Sequence, residues 1–520
     1  MEAEKDSVLI KNDPKKPIDL EAEIKIDVIQ ELSDEFADSE KQTIKVENGS
    51  EELSLDAEPD LRAFRQLTCE ILNLTFPIIL SEVLQNTLPV VDLAFVGQLS
   101  KDDLGVAALG TVWFNLWDAT LQGFCTAIDT LLSQAYGAND YDVFAMWTGL
   151  GIIIVMVMTC LMAAILSLCG PFMVLFGQDP VIASQAEKFS YLLIPGIFPY
   201  YCYKILVKHL QSQDILLPGA LSGVFANGLN IFNNWFFIFY LDKGLFGAPV
   251  ATTLTRFAEF ALMVVYFYWN RRSTLSKMWP VFAPRKLIQK KCSLLKTFFK
   301  IASAGALSFS AEAWSFEITT ILAGLLGTTA LDAHTITLSI STFLYLSFPF
   351  AISIAASIKV GHLIGEGCVR DAKLSSLASF ILTAVVYLSI IIIILPSSTA
   401  LGNLFSSSQD VSDMIASLLP ISCFFMVGDC IQSTTGGVMR GLGLQKIVFA
   451  LNVVGFWILG VPIGAILTFV ADIGVSGLWW GISIGVYSSA LIGLWVLKFR
   501  VDWEEAVKKA QDRTNLAGHF

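Results

Sequence analysis

The feature that most constrains this chain is a series of twelve apolar segments, each bounded by polar residues, glycine or proline. Each is about 20 residues or longer, the length at which an apolar α-helix spans the hydrocarbon core of a bilayer. Charged residues make up only 15% of the chain, whereas soluble proteins carry about 25%. The sequence therefore predicts an all-α membrane protein. Its twelve transmembrane helices, called spans 1 to 12, lie at approximately 69–97, 105–133, 143–169, 182–210, 217–241, 246–270, 296–325, 331–359, 372–397, 411–438, 446–470 and 474–498.

Lysine and arginine are concentrated in alternate loops between these spans. The segment 271–300 contains nine of them, whereas the loops on the other side contain only Lys101 and Lys243. Basic loops remain in the cytoplasm, so both termini are predicted to be cytoplasmic. The predicted divisions are a disordered acidic tail (1–64), an N-lobe with spans 1–6 (65–270), a cytoplasmic loop (271–295), a C-lobe with spans 7–12 (296–500) and a cytoplasmic C-terminal tail (501–520).

The two predicted lobes repeat each other. "VDLAFVGQLSKDDLGVAALG" in the first half parallels "ITTILAGLLGTTALDAHTIT" in the second, and four such landmarks have offsets between 225 and 230 residues. Because each half contains six spans, the second half begins on the same side of the membrane as the first, which makes the repeats parallel. The pattern predicts two six-helix lobes that face each other with a site between them, which is typical of transporters that work by alternating access.

Acidic residues lie inside the predicted spans, although a carboxylate at bilayer depth costs roughly 2.5–3.5 kcal/mol on insertion scales. Arg256 stands three residues before one of them, Glu259, and the spacing predicts that these two neutralise each other. The acids within the spans are Glu82, Asp92, Asp118, Asp129, Glu259, Glu312, Glu317 and Asp429.

Span 7 contains the stretch "EAWSFE", in which neither Glu312 nor Glu317 has a basic residue within a helical turn. Five residues correspond to about 140° around a helix and about 7.5 Å along it, so the two glutamates are expected to have different roles. Their charges must be met by water, by protonation or by a cationic ligand. The alternative is a protonated glutamate that fixes helix packing. Aromatic residues that could attract an organic cation, or simply pack, are Trp314, Trp113 and Trp117.

Signatures of intramembrane enzymes are missing from the sequence. "MVGDC" around Asp429 lacks the first glycine of a GxGD protease motif, and no HExxH occurs. The nine cysteines show no CxxC spacing, so neither a metal site nor a disulfide framework is predicted. We therefore expect a protein that is not an enzyme and needs no cofactor beyond a coupling ion.

Several motifs resemble the multidrug and toxin extrusion (MATE) transporters, especially their eukaryotic branch. They are "FVGQLSKDDLGVAALG", "AIDTLLSQAYGA", "EAWSFE", "SIAASIKVGHLIGEG" and "GDCIQSTTGGVMRGLGLQK", and the resemblance extends over approximately 65–500. It implies that Glu317, Glu312 and Asp429 bind the coupling proton and the substrate, with Glu317 as the main coupling residue. It also implies a cation site at Asp92 in the N-lobe, which Glu82 would complete. Glu82 and Ala313 depart from the family's usual residues.

The resemblance implies that the two lobes form a V around a central cavity. It also implies a monomeric exporter of organic cations that exchanges them for protons, with the lipid bilayer and small molecules as partners and no nucleic acid. The plasma membrane is the expected location, and a vacuolar or vesicular membrane is the alternative. Two further functions stay open at this point: sodium-coupled antiport, and export of an anionic or neutral metabolite.

Overall fold

The computed structural model describes residues 61–175, 177–270, 291–406 and 408–518. The regular secondary structure within these ranges is helical. The acidic tail predicted over 1–64 lies outside the described residues except for its last four positions, which already belong to span 1. The loop predicted over 271–295 is described only from Lys291, where span 7 begins.

The N-lobe contains spans 1 to 6. Their helices are Leu61–Val96, Lys101–Gly137, Tyr141–Leu166, Pro180–Gln211, Leu217–Asn234 and Gly247–Asn270. A short helix, Cys169–Leu175, lies between spans 3 and 4, and a π-helical segment, Trp235–Tyr240, continues span 5.

The C-lobe contains spans 7 to 12. Span 7 is Lys291–Gly324, span 8 is Thr328–Ser347 with Pro349–Glu366, and span 9 is Val369–Ile394. The short helix Ser398–Phe405 precedes span 10, Gln409–Leu442. Span 11 consists of Gln445–Asn452, the π-helical segment Val453–Gly460 and Val461–Phe469, and span 12 is Val475–Phe499. Pro349 and Pro462 stand at the first positions of helical segments, where the missing N–H costs nothing.

Eight helices in the described part of the chain are long and apolar enough to cross a membrane. Spans 2, 4, 5 and 7 fall below that hydropathy because they carry polar side chains. Asp118 and Asp129 of span 2 are buried, as are Asn230 and Asn234 of span 5. These polar groups face protein instead of lipid, so the four helices complete the predicted set of twelve.

The lobes meet at one end of the bundle, called the base, where odd-numbered spans begin and even-numbered spans end. Spans 1 and 2 pack there against spans 7 and 8. A Cβ atom added to Gly123 would overlap the backbone of Gly305, so spans 2 and 7 approach closely because both positions are glycine. One apolar cluster of the base joins Phe144 and Trp147 of the N-lobe to Phe298 of the C-lobe.

At the opposite end, called the mouth, each lobe has a core of its own. The cluster that contains Val96, Val106 and Leu245 consists of N-lobe residues, and the cluster that contains Ala330 and Val475 consists of C-lobe residues. Lobes that share cores at the base and have separate cores at the mouth form a V. The predicted architecture of two six-helix lobes is confirmed.

The segment 501–520, predicted as a tail, forms a helix over Trp503–Gly518. Trp503, Ala506 and Ala510 are buried against the base. Arg513 Nη1 donates a hydrogen bond to Gln134 Oε1 of span 2 at 2.8 Å. The helix also packs on spans 7, 8 and 10, so it contacts both lobes. The periodic small and apolar residues of this segment carry the amphipathic pattern that the sequence prediction did not use.

Candidate functional site

Glu312 of span 7 and Asp429 of span 10 line one cavity inside the C-lobe. Its volume is about 20 Å³, and Asp429 is buried. A cavity needs about 10–15 Å³ by this measure to hold one water molecule. The site therefore has room for a single water or small ion. Its other polar lining residues are Ser308, Tyr345, Gln432, Ser433, Arg440 and Asn452.

Asn452 holds Glu312 in place. Its amide donates to Glu312 Oε2 at 3.3 Å and to the carbonyl oxygen of Ser308, one turn before Glu312, at 3.2 Å. Gln432 Nε2 in turn donates to Asn452 Oδ1 at 2.7 Å, which fixes the direction of the amide. Asn452 is the last residue before the π-helical segment of span 11, and π segments occur often at functional sites.

Arg440 brings a positive charge to this cavity. Arg440 lies beyond the predicted end of span 10 at 438, but in the structure it belongs to the last turn of that helix and is buried, with its guanidinium hydrogen-bonded to Ser353. The expectation that Glu312 has no base nearby therefore holds only for its own helix. Arg440 follows Asp429 by eleven residues, about three turns, which returns it to the same face.

Glu317 lies outside this cavity. It is half-buried and makes no hydrogen bond with the described residues. Three residues before it, and therefore on the same face of span 7, Trp314 Nε1 donates to the carbonyl oxygen of Leu116 in span 2 at 3.4 Å. Glu317 consequently stands on the side of span 7 that turns toward the N-lobe, and about 7.5 Å nearer the mouth than Glu312. Its predicted coupling role stays a prediction.

Asp92 occupies a polar pocket of the N-lobe. Its Oδ1 accepts hydrogen bonds from Asn230 Nδ2 at 3.0 Å and Asn234 Nδ2 at 2.7 Å, and its Oδ2 accepts one from the Thr252 hydroxyl. All three donors are neutral. The asparagines follow each other by one turn of span 5, so both amides reach the same carboxylate.

Glu82 does not join Asp92. The two residues are ten positions apart on span 1, about 15 Å along the helix, and the cavity that Asp92 lines does not include Glu82. Glu259 of span 6 lines that cavity instead. Elsewhere in the N-lobe, Lys208 Nζ lies 2.6 Å from both carboxylate oxygens of Asp129, and the two form a largely buried ion pair.

Arg256 and Glu259 do not form the predicted ion pair in the described structure. Glu259 Oε1 accepts a hydrogen bond from Gln85 Nε2 at 2.6 Å. The Arg256 guanidinium lies over two aromatic rings, 4.9 Å from the centroid of Phe114 and 4.6 Å from that of Tyr200. The i, i+3 spacing allowed a pair, but the Arg256 guanidinium packs on two aromatic rings and Glu259 accepts from the Gln85 amide instead.

The three predicted aromatic residues form a continuous contact between the lobes. Trp113 and Trp117 lie edge to face at 5.9 Å between ring centroids, and Trp117 meets Trp314 in the same way at 5.9 Å. Trp314 is 37% exposed, so this series reaches an open surface.

The match to known families covers both lobes. The family model of MatE matches residues 77–236 and again 305–466. The chain belongs to the MatE family. The two matches begin 228 residues apart (77 against 305), the same offset as the internal repeat, so each lobe is one copy of the family's unit.

The curated relatives of this MatE-family chain are extrusion proteins. It is 29% identical over 457 residues to multidrug and toxin extrusion protein 1 of Oryctolagus cuniculus, covering 88% of this chain and 79% of that protein. It is 28% identical over 463 residues to the protein of the same name from Homo sapiens, with the same two coverages.

Solved structures of MATE transporters share the fold. The eukaryotic MATE transporter AtDTX14 superposes with a TM-score of 0.82 at 25% identity, over 87% of this chain and all of that chain. The MATE transporter VcmN of Vibrio cholerae superposes with a TM-score of 0.76 at 18% identity, over 88% and 99%. The chain is thus an integral membrane transporter of the multidrug and toxin extrusion type and not an enzyme.

Proposed function

We propose that this transporter exports organic cations in exchange for protons, and that Glu312 and Asp429 together carry the proton. The observation that supports this most is that the two carboxylates and Arg440 line one cavity of about 20 Å³. With one proton bound, the remaining carboxylate and the guanidinium cancel each other's charge. Without the proton the cavity has one negative charge in excess, which is costly at membrane depth and favours a cation close by.

The size of the cavity supports the proton, and not the substrate, as its ligand. An organic cation does not fit a space for one water molecule. The substrate would instead lie in the cleft between the lobes, where Glu317 stands without a hydrogen-bond partner among the described residues. Trp314 and Trp117 lie one turn nearer the base, and each aromatic face contributes about 0.5–2 kcal/mol to holding a cation.

Exchange in this scheme follows from competition for the same negative charge. A cation beside Glu317 disfavours a second positive charge in the Glu312–Asp429 cavity, so it weakens the binding of the proton there. A bound proton weakens the binding of the cation to the same extent, because coupling between two ligands is reciprocal. The contacts between spans 2 and 7 at the base must open to release the proton at that end of the bundle. The proposed cycle therefore alternates between a closed base and a closed mouth.

The remaining parts of the proposal concern the orientation, the location and the oligomeric state of the protein. The basic loop 271–300 supports a base that faces the cytoplasm, with both termini on that side. We place the protein in the plasma membrane as a monomer, with a vacuolar or vesicular membrane as the alternative. No organic cofactor and no nucleic acid takes part.

Sodium coupling is a second candidate, and Asp92 is the observation that favours it. The carboxylate and the neighbouring Thr252 hydroxyl present oxygen atoms, the ligands that hard cations prefer. Export of an anionic or neutral metabolite is the third possibility, and the free carboxylate of Glu317 argues against an anion in the cleft.

Uptake of radiolabelled tetraethylammonium into proteoliposomes distinguishes these functions. We expect uptake to follow an imposed pH gradient, acidic inside, and to collapse when nigericin dissipates it. Uptake that follows a sodium gradient at equal pH would favour Asp92-based coupling. Uptake that follows neither gradient would contradict the proposed function. When Glu312 or Asp429 is substituted in this assay, the matched control is Asp413→Asn, because Asp413 is an exposed acid of span 10 outside the cavity.

A further inference from the structure

The cavity of the N-lobe is larger than that of the C-lobe and contains a base as well as acids. Its volume is about 80 Å³, room for roughly five water molecules by the same measure. Asp92, Arg256 and Glu259 line it, together with the rings of Phe114 and Tyr200. A ligand of a few heavy atoms fits this space.

Arg256 presents an unused donor to this cavity. Its guanidinium lies over Phe114 and Tyr200, and its buried Nη1 has no hydrogen-bond partner among the described residues. The two nearby acids accept hydrogen bonds from neutral donors and not from Arg256: Glu259 Oε1 from Gln85, and Asp92 from Asn230, Asn234 and Thr252. A buried guanidinium N–H without a partner is costly. The group that matches it best is a carboxylate or a phosphate.

Glu259 presents an unused acceptor to the same cavity. It is 0% exposed, and its Oε2 has no hydrogen-bond partner among the described residues. Glu259 follows Arg256 by three residues on span 6, so both side chains leave the helix on one face about 4.5 Å apart along its axis. The cavity is therefore lined by one positive and one negative group, each with an atom that has no hydrogen-bond partner among the described residues.

We propose that the N-lobe cavity binds the carboxylate of a small zwitterionic substrate, with Arg256 as the residue that determines specificity for it. The cationic end of that substrate lies toward Glu259 and Asp92. This inference rests on the transport function proposed above and adds to the organic cations a second substrate class, small cations that also carry an anionic group.

Choline and glycine betaine are a matched pair of probes. Both carry a trimethylammonium group and are nearly the same size, but betaine has a carboxylate where choline has a hydroxymethyl group. The experiment measures how strongly each inhibits tetraethylammonium uptake by the full-length protein in proteoliposomes. We expect betaine to inhibit at a concentration about tenfold or more below that of choline, the effect of one charge-assisted hydrogen bond.

Three variants relate this preference to Arg256. Arg256→Gln is expected to remove the advantage of betaine while inhibition by choline stays the same or strengthens. Arg256→Lys is expected to keep part of the advantage, because lysine retains the charge but not the planar pair of donors. Lys188→Gln removes an exposed positive charge from the same lobe and is expected to leave the ratio unchanged.

Two results would overturn the inference: equal inhibition by both probes in the unaltered protein, or a betaine advantage that survives Arg256→Gln. If tetraethylammonium moves with neither ion gradient, the proposed transport function fails on its own. The thermal stabilisation of the detergent-solubilised protein by each probe then decides the inference alone. A greater stabilisation by betaine that depends on Arg256 supports it, and an equal stabilisation refutes it.

Discussion

Glu312 on span 7 and Asp429 on span 10 face the same cavity, although more than a hundred residues separate them in the chain. Arg440 lies in that cavity as well. Two carboxylates and one guanidinium are neutral together when they hold one proton. The proton therefore has a defined binding site, and substitution of either carboxylate tests it.

Glu312→Gln and Asp429→Asn are each expected to uncouple transport. A glutamine or an asparagine has nearly the shape of the protonated acid but cannot release the proton. Gradient-driven tetraethylammonium uptake should fall about 5- to 150-fold, the range that corresponds to a coupling free energy of 1–3 kcal/mol. Exchange of labelled for unlabelled tetraethylammonium needs no proton and should persist. The measurement is initial uptake in proteoliposomes with and without a pH gradient.

Glu317→Gln is expected to act differently, because Glu317 lies outside the cavity and toward the cleft. Its loss should raise the KM for tetraethylammonium and slow exchange as well as gradient-driven uptake. Full loss of the pH dependence with unchanged exchange would instead make Glu317 the coupling residue, as the family resemblance implies. Uptake as fast as in the unaltered protein would exclude both roles.

The sequence predicted the helices and the acids well, because both depend on local composition. Glu312 and Glu317 stand out in an apolar stretch without any structure. The partner of Glu312 could not be found in that way. That partner, Asn452, is a neutral residue, and the π-helical segment that follows it is seen in the structure but not in the sequence.

Arg440 was misplaced for a related physical reason. A base near the end of a predicted span is normally expected to reach water, yet span 10 extends to Leu442 and keeps Arg440 buried. Arg256 and Glu259 show the converse error. Their helical spacing permits an ion pair, but packing against Phe114, Tyr200 and Gln85 decides where the side chains go.

The ion pair of Lys208 and Asp129 is expected to stabilise the N-lobe. Their side chains are 14% and 4% exposed. Removing one partner leaves a buried charge, which costs about 3–5 kcal/mol. Asp129→Asn should therefore lower the unfolding temperature in detergent markedly, and adding Lys208→Met should recover part of the loss. A single variant as stable as the unaltered protein would contradict the buried pair.

Gly305→Ala is expected to separate spans 2 and 7 at the base. The new methyl group would overlap the backbone of Gly123 in span 2, and overpacking of this kind costs about 1–3 kcal/mol. Fewer molecules should then adopt the base-closed state, which spin labels on spans 2 and 7 report as a longer distance. Gly105→Ala, on span 2 at a position where an added Cβ has nothing within 4 Å, is the control and should leave the distance unchanged. An unchanged distance in Gly305→Ala would refute the close contact.

Arg513→Ala is expected to weaken the attachment of the C-terminal helix. Burial lowers the pKa of Arg513 to about 10, so the side chain stays charged at neutral pH and depends on its hydrogen bond to Gln134. A lost hydrogen bond to a charged group costs about 1.5–3 kcal/mol. Lys509→Ala breaks only an exposed pair with Glu505 and should cost less than about 1 kcal/mol. Equal unfolding temperatures for both variants would argue against a structural role of Arg513.

Proton release on substrate binding tests the account most directly. The full-length protein in detergent, in a weakly buffered solution with a pH indicator, is titrated with tetraethylammonium. The account predicts that the unaltered protein releases protons as the cation binds, and that Glu312→Gln and Asp429→Asn bind the cation without releasing them. Proton release that is the same in both variants as in the unaltered protein would contradict the assignment of the proton to Glu312 and Asp429.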